Sequence, residues 1–229
     1  MACAPSKPAA DQTAAQRTEA ATPVDSAASE GRPTVVFLGT SLTAGLGLAR
    51  EEDTYVSRLA ELADSAGMSI HVVNAGVSGD TSADGLARLP WVLRNPLDVL
   101  VIELGANDGL RGQDPDALAD NLRAIIDKTR AAHPDVRIIL VGMEAPPNLG
   151  QSYTTRFRRV FPEVARERKV ALVPFLLEGV AGVPGLNQAD GMHPTAKGEI
   201  KIAHNVWPTL ERVLETLPAR TTTAEGGAS

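Results

Sequence analysis

The chain has 229 residues, enough for one domain with a full core, and its 43% hydrophobic and 22% charged content is ordinary for a soluble globular protein. With 28 Asp and Glu against 22 Lys and Arg, the formal charge of -6 argues against a nucleic-acid partner, which needs clustered cations, and gives no attraction to anionic lipid. The single Cys3 excludes an intramolecular disulfide, the four histidines lack metal-ligand spacing, and no apolar run nears the ~18 residues of a membrane span.

Residues 1–32 are rich in Ala, Pro, Ser, Thr and Glu, with Val24 as the one large aliphatic. Such a segment buries too little apolar surface to offset its ordering entropy and reads as a disordered linker. Its start, Met1-Ala2-Cys3-Ala4-Pro5-Ser6, resembles a bacterial lipoprotein whose signal peptide has been cut away. Cys3 would then carry the lipid, the linker would be a tether, and the protein would sit in the cell envelope or periplasm. The other reading is an incidental cysteine in a loose terminus of a soluble protein. The first residues have no signal-peptide apolar core. Residues 33–218 read as one domain and 219–229 as a second disordered tail.

Within 33–218, strand-like runs alternate with helix-like ones. The runs 34–39, 69–74, 98–104, 136–142 and 170–173 are short, aliphatic or β-branched, and apolar on both faces, as in parallel strands covered on both sides. Amphipathic segments follow at 54–66, 82–94, 114–132 and 154–168, and a last helix follows Thr195. In 114–132, Asp114 suits the N-cap and Pro115 the first helical position, with Leu118, Leu122, Ile125 and Ile126 on one face. Five β-α units in a row predict a doubly wound parallel α/β sheet. Trp91 and Trp207 read as core or helix-packing anchors, and His71, His133 and His204 as structural.

In α/β sheets ligands bind at the carboxyl ends of the strands. Strand one ends in Gly39-Thr40-Ser41-Leu42, strand two in Asn74-Ala75-Gly76-Val77-Ser78-Gly79-Asp80, and strand three in Gly105-Ala106-Asn107-Asp108. In the order 2-1-3-4-5 these loops are neighbours at one crevice. A serine nucleophile needs a base and an oxyanion site. The Ser41 N–H, the Gly79 N–H and the Asn107 amide are candidate oxyanion donors, and Asp80 and Asp108 read as loop or cap carboxylates. Asp190-Gly191-Met192-His193 offers the base, because a carboxylate three residues before an imidazole can fold back onto Nδ1 and leave Nε2 for the serine. Glu144 also follows a strand near the crevice, but only Asp190 lies within a turn of a histidine. Strand five would lie about 14 Å from strand one at ~4.8 Å per strand. The connection 174–194, unusually long unless functional, can carry His193 that distance.

These residues match, in order, the four blocks of the SGNH (GDSL) hydrolase superfamily. Ser78-Gly79-Asp80-Thr81-Ser82, Gly85-Leu86-Ala87-Arg88-Leu89-Pro90 and Glu103-Leu104-Gly105-Ala106-Asn107-Asp108-Gly109-Leu110-Arg111-Gly112 resemble its bacterial arylesterase and multifunctional thioesterase/lysophospholipase branch, and the resemblance spans about residues 34–215. It implies a flavodoxin-like three-layer sandwich, no cofactor and no metal, and Ser41, Gly79, Asn107 and His193 as the family's four named positions. The family usually has Asp before the serine, as a supporting group rather than a triad member, and here that position is Thr40. The expected activity is hydrolysis of small carboxylic esters with short-to-medium acyl chains, with thioesters and lysophospholipids as side substrates. A carbohydrate O-deacetylase would use the same site, and an inactive acyl-binding envelope protein is the reading from another class. Leu110, Pro146, Leu149, Phe175 and Val183 are the expected acyl-side walls.

Overall fold

The aliphatic runs become five strands, β1 (Thr34–Gly39), β2 (His71–Gly76), β3 (Val99–Glu103), β4 (Arg137–Val141) and β5 (Ala171–Val173). All pair in parallel in the order β2-β1-β3-β4-β5, as the sequence predicts. The structure is a computed structural model that describes residues 31–218. The expected tail 219–229 lies outside the described residues, as does the expected tether, Cys3 included, except for its last two residues. No helix among the described residues is long and apolar enough to cross a membrane.

Every residue of Val99-Leu100-Val101-Ile102 is completely buried, because helices cover both faces of the sheet. Each such side chain contributes roughly 1.5–3 kcal/mol of burial free energy, so the central strands anchor the fold. The helices are α1 (Ser41–Ala44), α2 (Tyr55–Ser65), α3 (Ser82–Val92), α4 (Ala106–Leu110), α5 (Pro115–Ala132), α6 (Gln151–Arg168) and α7 (Ala196–Leu214). α2 packs on α7 in one layer, and α3, α5 and α6 are successive neighbours in the other. Thr54, Thr81, Asp114 and Thr195 cap α2, α3, α5 and α7 through their side chains. The cap of α3 is thus Thr81, which forms a capping box with Asp84, and not Asp80.

Register sets the stage for the site. Gly39 stands level with Gly76 of β2 on one side and with Glu103 of β3 on the other. α1, the turn before α3, and α4 therefore all leave the sheet at one edge. The short helices α1 and α4 stand where the sequence suggested loops, since four or five residues carry no readable period. Trp91 is 40% exposed on α3 and is no core anchor, whereas Trp207 packs half-buried against the core.

Candidate active site

Thr40 is the extended N-cap residue of α1, and its side-chain oxygen accepts the Leu42 N–H. Ser41 is the first helical residue, presented at the carboxyl end of β1. Its Oγ lies 2.9 Å from His193 Nε2, across 152 residues of sequence. His193 Nδ1 is 2.6 Å from Asp190 Oδ2, and Asp190 Oδ1 accepts the backbone N–H groups of Met192 and His193 at 2.9 and 3.0 Å. The imidazole hydrogen bond and the two backbone donors push the Asp190 carboxyl down to about 2. An ionised Asp190 accepts at Nδ1–H, which leaves Nε2 as the lone-pair nitrogen facing Ser41.

Gly79 and Asn107 line the same cleft as Ser41. Gly79 has φ +88°, which L side chains rarely adopt, while a Cβ added there would meet nothing nearer than Arg111 Nη2 at 4.0 Å. Backbone conformation, not crowding within the fold, therefore demands glycine, and the open space is available to substrate. Asn107 Nδ2 donates to Asp80 O at 2.9 Å, which aims its amide along the Gly79–Asp80 turn. Asp108 is buried and accepts both the N–H and the hydroxyl of Ser82 at 2.8 and 2.6 Å, tying α4 to the start of α3.

Several supporting residues were not singled out from the sequence. Arg88 Nε reaches Asp80 Oδ2 at 2.6 Å while its Nη2 donates to Gly39 O at 3.0 Å, so one guanidinium joins the turn after β2 to the end of β1. Arg111 Nη2 donates to Gly79 O at 2.9 Å. Gln188 Nε2 bridges Leu46 O and Pro194 O, both at 2.8 Å, and so fastens the His193 loop to the chain just past Ser41. Glu103 lies fully buried under Thr40. Its one legible signal was a carboxylate ending an otherwise aliphatic strand.

The cleft has a volume of about 810 Å³, within the range of small-molecule sites, and runs from Ser41 and His193 between Leu110, Pro146 and Phe175. Leu46, Leu110 and Met192, each about half exposed, flank its mouth. Leu149 and Val183 stand outside the lining. Leu149 ends a short 3-10 turn whose side chain faces Gly112, and Val183 is in an exposed turn. Glu144 is at the rim, paired with Arg158 at 3.0 Å rather than with a histidine. The other histidines stay apart from the site. His133 and His204 contact backbone carbonyls, and His71 Nε2 is buried without a partner. Among the described residues no group of three or more His, Cys, Asp or Glu is placed to hold a metal ion.

Known proteins resemble the chain in sequence and in fold. The chain is 47% identical over 182 residues to "Esterase TesA" of Pseudomonas aeruginosa, which covers 79% of this chain and 89% of that protein. It is 40% identical over 172 residues to "Thioesterase 1/protease 1/lysophospholipase L1" of Escherichia coli K12, covering 74% and 79%. Among solved structures, the esterase EstA from Pseudoalteromonas sp., inhibited by monoethylphosphonate, superposes with a TM-score of 0.74 at 32% identity, covering 80% of this chain and 98% of that one. Residues 37–199 match the model of the "GDSL-like Lipase/Acylhydrolase family", and the chain belongs to that family.

Proposed function

We propose that this serine esterase works through an acyl-Ser41 intermediate on short-to-medium acyl chains. The observation that carries the reading is the unbroken contact chain Asp190–His193–Ser41, with steps of 2.6 and 2.9 Å, in a cleft shared with Gly79 and Asn107. His193 Nε2 takes the Ser41 proton as Oγ attacks the ester carbonyl. The Ser41 and Gly79 N–H groups and the Asn107 amide receive the negative charge on the tetrahedral oxygen. His193 then protonates the leaving alcohol or thiol, and repeats the cycle with water to release the acid. Asp190 holds the imidazole in the required tautomer.

Thioesters and lysophospholipids are side substrates in this reading, supported by the activities that name the Escherichia coli relative. The apolar wall formed by Leu110, Pro146 and Phe175 favours an acyl chain, each methylene contributing up to ~0.8 kcal/mol until the groove is filled. The enzyme would be an envelope protein tethered through Cys3, and metabolic labelling with a tagged fatty acid tests that anchor.

Two measurements test the rest. A fluorophosphonate should label Ser41 in the wild type, and Ser41→Ala should keep the fold while losing label and at least ~10³ in turnover. Normal turnover by a folded S41A ends the proposal. On p-nitrophenyl esters from acetate to palmitate, kcat/KM should peak at roughly four to ten acyl carbons. A maximum at palmitate contradicts the groove, and one at acetate, with strong activity on acetylated sugars, favours a deacetylase.

A further inference from the structure

Glu103 is the last residue of β3 and is fully buried. Its Oε2 accepts three hydrogen bonds, from the Thr40 N–H at 2.8 Å, the Thr40 hydroxyl at 3.0 Å and the Thr43 hydroxyl at 2.8 Å. Thr40 and Thr43 bracket Ser41 on the turn that presents it. A Cβ on Gly39 would stand 2.0 Å from Thr43 Oγ1 and 2.7 Å from Glu103 Oε2, so glycine at the end of β1 is what lets the two side chains meet. On the far side of Thr43, the Tyr55 hydroxyl is 2.8 Å from the same Oγ1. The Thr43 hydroxyl has one proton. With that proton given to Glu103, it receives the one from Tyr55, and the chain of hydroxyls points at the carboxylate.

We propose that Glu103 is the positioning residue of the nucleophile turn, a buried carboxylate that anchors Thr40 and Thr43 and thereby holds Ser41 Oγ on His193. This rests on the reading of Ser41 as nucleophile. Three donors converge on one oxygen, which suits an acceptor-only carboxylate. A carboxylic acid brings a fourth proton to the same cluster and gives up part of the anchor. Burial, only partly offset by the threonine donors, raises Glu103 to about 7, so the anchored form prevails above that value. The titratable groups facing it are both acids. Tyr55 comes from α2 and is pushed up by burial, and Glu199 comes from α7 and is raised to about 8. The turn of Thr40 and α1 contributes only uncharged donors, the threonine hydroxyls and backbone N–H.

The test is Glu103→Gln, which keeps the shape and removes the charge. We expect kcat to fall ~10–100-fold with KM within ~2-fold, and fluorophosphonate labelling of Ser41 to slow in parallel, since a displacement of ~1 Å at a nucleophile can cost that much. In the wild type the acid limb of log kcat against pH should be steeper than one proton, because Glu103 and the catalytic base must both be deprotonated. In E103Q it should fall to one proton. A purely structural carboxylate would shift the melting temperature and leave both the kcat-to-KM split and this steepness unchanged. A folded E103Q with kcat within ~2-fold of wild type, or with unchanged steepness, overturns the proposal. Should E103Q fail to fold, Thr43→Val removes one anchor with little change of shape. It should lower kcat ~3–10-fold at constant KM, with Thr43→Ser restoring it, and a T43V enzyme equal to wild type is equally fatal. Wild-type label landing away from Ser41 sinks the nucleophile reading itself. Label at Ser41 with an unchanged rate in E103Q sinks only the positioning role.

Discussion

Asp190 and Glu103 are both carboxylates near Ser41, and their surroundings push them in opposite directions. Asp190, solvated and bonded to the imidazole and two backbone N–H groups, is lowered to about 2. A lowered folded value means that its native contribution is complete above the ordinary carboxylate range and is lost only as pH falls toward 2. Asp190 therefore stays ionised across any working pH and adds no limb to a rate profile above pH 4. In Asp190→Asn the remaining oxygen still accepts from Met192 and His193, but the amide presents N–H to Nδ1 and favours the wrong tautomer. Turnover should drop ~10²–10⁴-fold with little change in melting temperature, checked by kinetics beside calorimetry. A D190N enzyme within ~3-fold of wild type would show that Asp190 does not orient the base. This pair was legible in the sequence because its spacing of three residues is local. Glu103 was not, because its three bonds run to residues 60 or more positions away.

At the scale of elements, the strands could be read because doubly covered strands are continuous aliphatic runs. The caps Asp114 and Thr195 could be read because capping chemistry is confined to one turn. The short helices α1 and α4 could not, since tertiary contacts rather than period hold them. The connection 174–194 was legible only in its length; its internal ties are the structure's contribution. Asn205 of α7 donates to Leu176 O and Glu178 O, Gln188 N–H donates to His193 O at 2.7 Å, and Asn187 bridges to Pro194. The Gln188 side chain is the tie that joins this loop to Leu46. Each such bond contributes about 1 kcal/mol, too little to matter for global stability but enough to loosen a loop. Gln188→Ala should lower kcat roughly 3–30-fold while moving the melting temperature by less than about 3 °C. A large fall in stability at unchanged kcat would show that the bridge supports the fold rather than the base.

For the whole molecule, Glu103 and Glu199 are two buried acids raised to about 7 and about 8. For a group with a raised folded value, the native advantage belongs to the protonated form. It is complete below the ordinary carboxylate value and is lost as pH rises through the folded one. The melting temperature should therefore decline between about pH 5 and pH 9, over the same range in which Glu103 ionises and catalysis improves. Glu199→Gln keeps an oxygen for the Tyr55 N–H and removes the charge. At pH 9 it should raise the melting temperature by several degrees, at roughly 2–4 °C for each kcal/mol relieved, and the gain should shrink almost to nothing by about pH 4. Equal melting temperatures of the two proteins at pH 9 would refute the account. The 152 residues that separate Ser41 from His193 also bear on synthesis. In the proposed mechanism Ser41, Gly79 and Asn107 are all synthesised well before His193, so the serine would have no base until the stretch just ahead of α7 is made. α7, the partner of α2, follows directly behind His193. On that mechanism a chain that stops short of His193 should hydrolyse esters at no more than a residual rate, and full activity should appear only once the domain is close to complete.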